Sequence, residues 1–403
     1  MKWRSLNPGA RWWRCTLPCA PVFSGKTQKQ PVQVIHREVK VPLDTLDLRG
    51  LAPHEQEARI RTLLEDEQKV GFNLSKPPLI RFRLVRLADE SYEFIRSFHH
   101  ILMDAWCISL VTVDFLKVYE ALCNDRTPEL KSPRPFRDYI QWLQRQDAGK
   151  AEQFWRGQLQ GLNAPTPLTV DNGVARDRYT DAVLVDDQLI HLNEQETQAL
   201  AAFCRSRRIT PNTFFFQGVW SLLLSRYSGQ RDVLFGVTVA GRPAELTGVA
   251  EMIGLFINTL PLRVSVDPEA SLGQWLSTLQ GLNVDMRDFE HTPLTDIQGW
   301  SDFPRGETLF DSILVFEKRP DRRTDSGRRF PVQPRRHGSQ RAHPLRFDRG
   351  DPARRTTGHS CVLRPRAFRG VDRAALARSH CQPGARHARR TGRAAGQFRA
   401  AGR

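Results

Sequence analysis

Strand-like and helix-like periodicities alternate through the middle of this chain in two successive blocks, which restricts it to an α/β fold built as two halves. In the first block, Pro31 to Val41 alternates roughly as a strand does, and Pro53 to Val70 has the spacing and charge of a helix. Leu79 to Leu87 alternates from Ile80 to Leu84, with Arg81 and Arg83 on the opposite face, before Val85 and Arg86 break the phase. Ser91 to His99 alternates again beyond Ala88-Asp89-Glu90, a connection of hairpin length. Trp106 to Cys123 places apolar residues at helical spacing, and Asn124 offers a stop. A stretch bearing Pro and Gly, Asn163 to Asp177, then separates the blocks. In the second block a strand is expected over Ala182 to Leu192 and a helix over Glu194 to Arg207. Thr210 is placed to cap a further helix, with Pro211 at its first position and Phe214 to Tyr227 along it. A buried strand (Asp232 to Val239), a helix (Ala270 to Val284) and a last strand (Leu309 to Lys318) complete the block.

The ends do not continue this pattern. Asp321 to Arg403 holds 22 Arg, no Lys, 5 Asp and no Glu, a net +17, so the first 320 residues of this +16 chain sum to −1. Such a tail is either a basic arm that binds nucleic acid or coding sequence read in the wrong frame. The missing Lys, the weak periodicity and the Pro, Gly, His and Ala content favour the second origin. Ala342 to Gly358 admits codons that, read one base along, spell a strand-like Tyr-Gly-Ser-Thr-Val-Ala-Ile. Trp13 to Lys26 admits codons that, shifted by two bases, spell Ala-Leu-His-Pro-Ala-Leu-Arg-Thr-Gly-Phe. The expected organisation is an anomalous N-terminal segment (1–28), an N-terminal half (29–162), a linker (163–177), a C-terminal half (178–319) and an Arg-rich tail (320–403). Both ends are expected to be frameshifted, and disordered or non-native, with the tail disordered.

Of seven cysteines, Cys15, Cys19, Cys361 and Cys381 lie in those ends, and Cys107, Cys123 and Cys204 are scattered without a Cys-x-x-Cys. Neither a disulfide framework nor a zinc site is indicated. Trp12, Arg14 and Pro18 interrupt any signal-peptide core. No apolar stretch approaches the ~20 residues of a membrane span. The core is expected to be cytoplasmic.

Candidate chemistry begins at Ser97-Phe98-His99-His100-Ile101-Leu102-Met103-Asp104-Ala105-Trp106. Two adjacent histidines, with an aspartate four residues after the second, stand at a strand end, where loops present functional groups. His100 and Asp104 suit either proton transfer or two ligands of a metal, although no third ligand is evident nearby. His99 by itself fits a satisfied core histidine. Gly241-Arg242-Pro243 follows the expected strand and offers a cation. In Ile253-Gly254-Leu255-Phe256-Ile257-Asn258-Thr259-Leu260-Pro261-Leu262-Arg263, Gly254 permits a close backbone approach. Asn258 there is a polar group in an apolar run and needs a partner. Phe136, Tyr139, Ile140 and Leu143 form one amphipathic helix face, read as core. His291 to Trp300 and Leu309-Phe310-Asp311-Ser312 read as turn and packing.

Taken together these segments resemble the condensation domain of nonribosomal peptide synthetases. That family carries His-His-x-x-x-Asp-Gly, Tyr-x-Asp-Phe-x-x-Trp and Ile-Gly-x-Phe-x-Asn-Thr-x-x-x-Arg in this order. The likeness runs from Lys29 to Arg319. The family's first motif is missing, and its second, Arg-His-x-x-Leu-Arg-Thr-x-Phe, is approached only in the shifted frame. Ala105 stands at the motif glycine and fits there if its φ is negative.

The resemblance implies a fold like chloramphenicol acetyltransferase, with two α/β halves in a V-shaped pseudo-dimer and the histidine loop at the cleft. It implies peptide-bond formation between thioesters on phosphopantetheine arms. Upstream and downstream peptidyl carrier proteins deliver those arms, beside an adenylation domain. The chain itself would bind no cofactor and no metal, and nucleic acid is not expected as a partner. His100 would assist attack of the acceptor amine, since imidazole exchanges a proton near its reference pKa of about 6.5. Asp104 would be structural and paired with Arg242, with His99 in support. Asn258 would orient a thioester carbonyl or a pantetheine amide, and Trp106, Gly254 and Phe256 would line the substrate tunnel. With both ends out of frame, the domain would be truncated and inactive as written. The alternatives are a stand-alone acyltransferase of this fold using a soluble thioester, and a nucleic-acid-binding protein acting through its tail.

Overall fold

The computed structural model of the chain describes residues 21–24, 32–36, 39–167, 192–304, 307–316, 332–334 and 345–347. Strand β1 (Pro21–Ser24) pairs antiparallel with β2 (Val32–Ile35). Beyond them, β3 (Leu43–Asp47) lies parallel to β4 (Ile80–Ala88), and β4 runs antiparallel to β5 (Ser91–Phe98). Helix α1 (Pro53–Val70) connects β3 to β4. Its ends are set locally. Pro53 gives up an N–H that would have no helical partner, and the Glu55 carboxylate accepts the Ala52 N–H at 2.8 Å. Gly71 stops the helix at φ +59°, a region that favours glycine.

Both faces of the β4–β5 hairpin are buried. Ile80, Phe82, Leu84, Phe94 and Phe98 pack against α2 (Ala105–Cys123). The Phe82 and Phe94 rings stack at 5.5 Å, and Phe94 stacks on Phe115 of α2 at 5.0 Å. Val85 and Ile95 point the other way, into Ile60, Leu63 and Leu64 of α1. Coverage by α1 is why the apolar alternation breaks at Val85. A bulge between Arg86 and Ala88 closes the hairpin. Helix α3 (Phe136–Leu143) follows.

A second set of elements starts with α4 (Ala148–Leu159), α5 (Glu194–Arg207), a π-helical stretch Asn212–Gly218 and α6 (Val219–Ser228). Next come β6 (Asp232–Val239), β7 (Asn258–Ser265), α7 (Leu272–Asp285), α8 (Leu294–Trp300) and β8 (Ile313–Leu314). The sheet order is β7-β6-β8, with β7 antiparallel and β8 parallel to β6. The expected cap on the helix after Pro211 is present, the Thr213 N–H donating to Thr210 Oγ1 at 3.1 Å. That helix starts with a wide π turn. Buried Thr213 and Gln217 reach from the turn to Gln280 and Asn283 of α7 at 2.8 and 2.9 Å. Of the strand expected over Leu309 to Lys318, Ile313–Leu314 forms a strand, and 317–318 lie outside the described residues. Leu309 is buried in the core, and Phe310 lies against Gly236, where an added Cβ would come within 2.5 Å of its ring.

Arg263 holds this unit at one end. It donates to both Asp232 carboxylate oxygens, at 2.6 Å for Nη2, and its Nη1 reaches the Gln158 and Gln160 carbonyls at 3.2 and 2.8 Å. Those carbonyls belong to the C-terminal turn of α4, where a cation also suits the helix dipole.

Two stretches of the Arg-rich segment are strands as well. Strand β9 (Val332–Pro334) pairs with β10 (Leu345–Phe347), and β10 with β5, giving the sheet order β3-β4-β5-β10-β9.

The chain forms two compact units. One holds the described residues up to Gln144, Arg242–Phe256, and β9 and β10; the other holds those of Arg145–Gly241 and Ile257–Lys318. These units divide the chain differently from the expected halves, 29–162 and 178–319, at 145–162 and at 242–256. Helix α4 belongs to the second unit because Trp155 and Leu159 are buried in its core and Phe154 stacks on Phe289 at 4.2 Å. Residues 242–256 belong to the first because their polar groups bond to α2 and to residues beside α3. Of the expected linker, 163–167 has no helix or strand, and Thr166 Oγ1 accepts the Leu234 N–H at 2.7 Å. The rest of that linker, the strand expected over 182–192 apart from Leu192, and the ends 1–28 and 320–403 apart from the strand residues above lie outside the described residues.

Candidate active site

The histidine pair stands where β5 gives way to α2. The His99 N–H continues the ladder to the Leu79 carbonyl at 3.0 Å, and the chain then turns. His100–Leu102 is one turn of 3₁₀ helix, closed by Leu102 N–H to His99 O at 3.0 Å. Leu102 and Met103 anchor the turn in the core of the first unit, while His100 is exposed. Asp104 then caps α2, its Oδ1 accepting the Cys107 N–H at 2.9 Å. Ala105 is the first residue of that helix and is not among the positive-φ residues, so the position tolerates alanine.

Asp104 is completely buried, and the expected cation stands beside it. Arg242 Nη2 lies 3.6 Å from Asp104 Oδ1, with side-chain exposures of 5% and 0%. The guanidinium also donates to the Val249 carbonyl, to the Met252 carbonyl at 3.1 Å and to Cys107 Sγ at 3.0 Å. The ring centroids of Phe256 and Trp106 lie 3.9 and 5.4 Å from it. The other Asp104 oxygen accepts the Phe256 N–H at 3.2 Å. A buried ion pair is tolerable only with such supplementary hydrogen bonds. With its oxygens engaged by Arg242, Cys107 and Phe256, Asp104 does not offer itself as a metal ligand alongside exposed His100.

Residues 242–256 are stitched to the start of α2 and to the chain just before α3 by further contacts. Trp106 Nε1 donates to the Ala250 carbonyl at 2.9 Å, and Cys107 Sγ approaches the Gly254 carbonyl at 3.2 Å. Arg134 Nη1 donates to the Thr247 carbonyl at 3.1 Å. Burial and the neighbouring Asp104 charge push the Cys107 thiol up to about 11, which makes it a packing group and not a nucleophile. Residue spacing gave no hint of Cys107 as a site residue; its one signal is its place with Val111 among the buried apolar residues of α2.

The residues expected along the tunnel differ in exposure. Trp106 is 49% exposed. Gly254 and Phe256 are buried. A Cβ on Gly254 would fall 2.1 Å from the Phe136 ring, and Phe256 is 2% exposed, with Phe136 and Tyr139 at 5.0 and 4.6 Å. Of the α3 face read as core, Phe136 and Tyr139 pack here, whereas Ile140 is exposed.

Asn258 lies in the second unit. Its Nδ2 donates to the Glu290 and Thr292 carbonyls at 2.9 and 2.6 Å, and its Oδ1 accepts the Thr259 N–H. The amide nitrogen thereby holds the 290–292 loop. In that loop burial pushes the Glu290 carboxyl up and the His291 imidazole down.

Comparison with known proteins agrees with this architecture. The condensation-domain family model matches residues 21–339, and the chain belongs to that family. It is 42% identical over 319 residues to one of the linear gramicidin synthase proteins of Brevibacillus parabrevis, covering 78% of this chain and 6% of that protein. It is 36% identical over 299 residues to surfactin synthase subunit 3 of Bacillus subtilis (strain 168), covering 74% and 23%. The chain thus spans a small part of the length of these multidomain relatives. Among solved structures it is similar to the first condensation domain of the calcium-dependent antibiotic synthetase, at TM-score 0.71 and 17% identity over 96% of this chain and 88% of that one. It is also similar to a four-domain nonribosomal peptide synthetase bound to AMP and glycine, at TM-score 0.61 and 16% identity over 83% and 27%. The fold is therefore the α/β, chloramphenicol acetyltransferase-like fold of condensation domains. Among the described residues no helix is long and apolar enough to cross a membrane.

Proposed function

We propose that this domain forms an amide bond between two thioester-bound groups. The acceptor's amine nitrogen attacks the donor's thioester carbonyl carbon, the carbon–sulfur bond breaks, and the donor's thiol leaves. The nitrogen gives up a proton, which His100 takes or steers and which ends on the departing sulfur. Asp104 and Arg242 act on this chemistry only by fixing the end of the turn that carries His100. Donor and acceptor would arrive on phosphopantetheine arms of upstream and downstream peptidyl carrier proteins, with an adenylation domain as neighbour. The chain would hold no cofactor of its own and would act in the cytoplasm.

The observation that carries this reading is the exposed His100 on a turn locked by a buried, fully engaged Asp104. The test supplies the full chain with a soluble acyl thioester donor and an aminoacyl thioester acceptor and follows the amide by mass spectrometry. His100→Ala is expected to lower turnover by about 10²-fold or more, the usual contribution of a positioned acid–base group, with an unchanged melting profile. Equal turnover in the variant would refute the role of His100.

A further inference from the structure

His99 uses three of its polar atoms to shape the turn that begins one residue later. Its N–H donates to Leu79 O, its carbonyl accepts from Leu102 N–H, and its ring Nδ1 accepts the Ile101 N–H at 3.1 Å. Its backbone, φ −75° and ψ 132°, is that of a helix cap residue. A ring nitrogen that accepts a hydrogen bond carries no proton, so the proton of neutral His99 sits on Nε2. The Phe72 ring meets the imidazole edge-on at 6.4 Å, and Arg81 covers Phe72 at 4.2 Å. His100 is the first residue of the capped turn.

We propose that His99 is a positioning residue: as the cap of the 3₁₀ turn, in its Nε2–H tautomer, it sets the direction in which His100 points. The turn is closed by one backbone bond, Leu102 N–H to His99 O, and by this cap. Without the cap the Ile101 N–H loses its acceptor, and the exposed His100 samples orientations that do not meet the amine. Thioester binding makes no use of the cap, so the loss falls on kcat and not on KM.

Side-chain length makes the idea sharp. Nδ1 of histidine and Oδ1 of asparagine stand the same number of bonds from the backbone, whereas the glutamine Oε1 is one bond further. Asn is also among the favoured cap residues.

This inference rests on His100 as the proton-handling group, but the tautomer is read without turnover, so failure of one is distinguishable from failure of the other. The experiment uses the full chain with ¹⁵N-labelled histidine and long-range ¹H–¹⁵N imidazole correlations. His99 is expected as the Nε2–H tautomer. His99→Ala is expected to shift the His100 ring resonances and lower kcat about tenfold or more, with KM unchanged. His99→Asn is expected to restore both to within about threefold, and His99→Gln is not. An Nδ1–H tautomer, unmoved His100 resonances in His99→Ala, or equal rescue by Gln and Asn would overturn the proposal. If His99→Ala does not fold, the wild-type tautomer and the Asn–Gln comparison decide.

Discussion

Replacing Arg96 with methionine should make this domain more stable, although it removes a charged group. Arg96 lies on β5 between Phe94 and Phe98 and is 3% exposed. Its Nη2 reaches Thr112 Oγ1 at 3.4 Å, its Nε has no hydrogen-bond partner, and no carboxylate among the described residues is paired with it. The nearest compensation is the Phe98 ring, 6.0 Å from the guanidinium. Burial alone pulls the group well below the usual guanidinium range, to about 10. At about 1.4 kcal/mol per pKa unit, that is a penalty of about 3 kcal/mol on the folded state. The sign follows from protonation. A cation whose pKa falls on folding opposes folding at every pH below the folded value, and the penalty fades only as pH climbs through about 10. Methionine has a similar reach and no charge to desolvate, so about 2 kcal/mol should be recovered after the Thr112 contact is lost. In urea denaturation this appears as a higher midpoint with an unchanged slope. In thermal melts it is a rise of about 4–8 °C. The gain should be the same at pH 7 and pH 8.5, since both states are then protonated. A variant as stable as the parent, or less so, would show that the guanidinium is stabilised in the fold, and the burial argument would be wrong.

The same ledger runs the opposite way at the ion pair. Asp104→Ala strands Arg242 and leaves the Cys107 and Phe256 N–H groups without acceptors, so a loss of about 3–5 kcal/mol is expected in urea denaturation; a loss under ~1 kcal/mol would mean that the pair is solvated. Cys107 and Cys204, both pushed up to about 11 by burial, should resist alkylation at pH 8 in the native chain and react in urea. Peptide mapping after labelling checks this, and rapid native labelling of either cysteine would contradict the burial described.

What the sequence disclosed follows from how local each signal is. The helices Pro53–Val70 and Glu194–Arg207 start where they were expected because their N-termini are capped by neighbours in sequence. Glu55 bonds to Ala52, and Glu196 and Asn193 cap each other. Strand β3 went unread because four of its five residues are exposed and no alternation marks it; pairing with β4, some 40 residues on, makes it a strand. The Asp104–Arg242 pair joins residues 138 positions apart and was accessible only through the family resemblance. Gly254 and Phe256 show the limit of a motif. A glycine and a phenylalanine in an apolar run suit a channel wall and a packed core equally, and only the Phe136 ring over Gly254 separates the two.

Within the histidine motif, chemistry and scaffolding fall on different residues, and this decides how variants must be interpreted. Asp104 serves three ends at once: cap of α2, counter-charge for Arg242 and acceptor for the Phe256 N–H. Any change there removes buried interactions before it reaches the reaction, so lost turnover in an Asp104 variant reports first on folding. His100 is exposed, and its substitution leaves the contacts around Asp104 in place. A variant of His100 can therefore speak for catalysis by itself, whereas a variant of Asp104 does so only after its stability has been measured and subtracted.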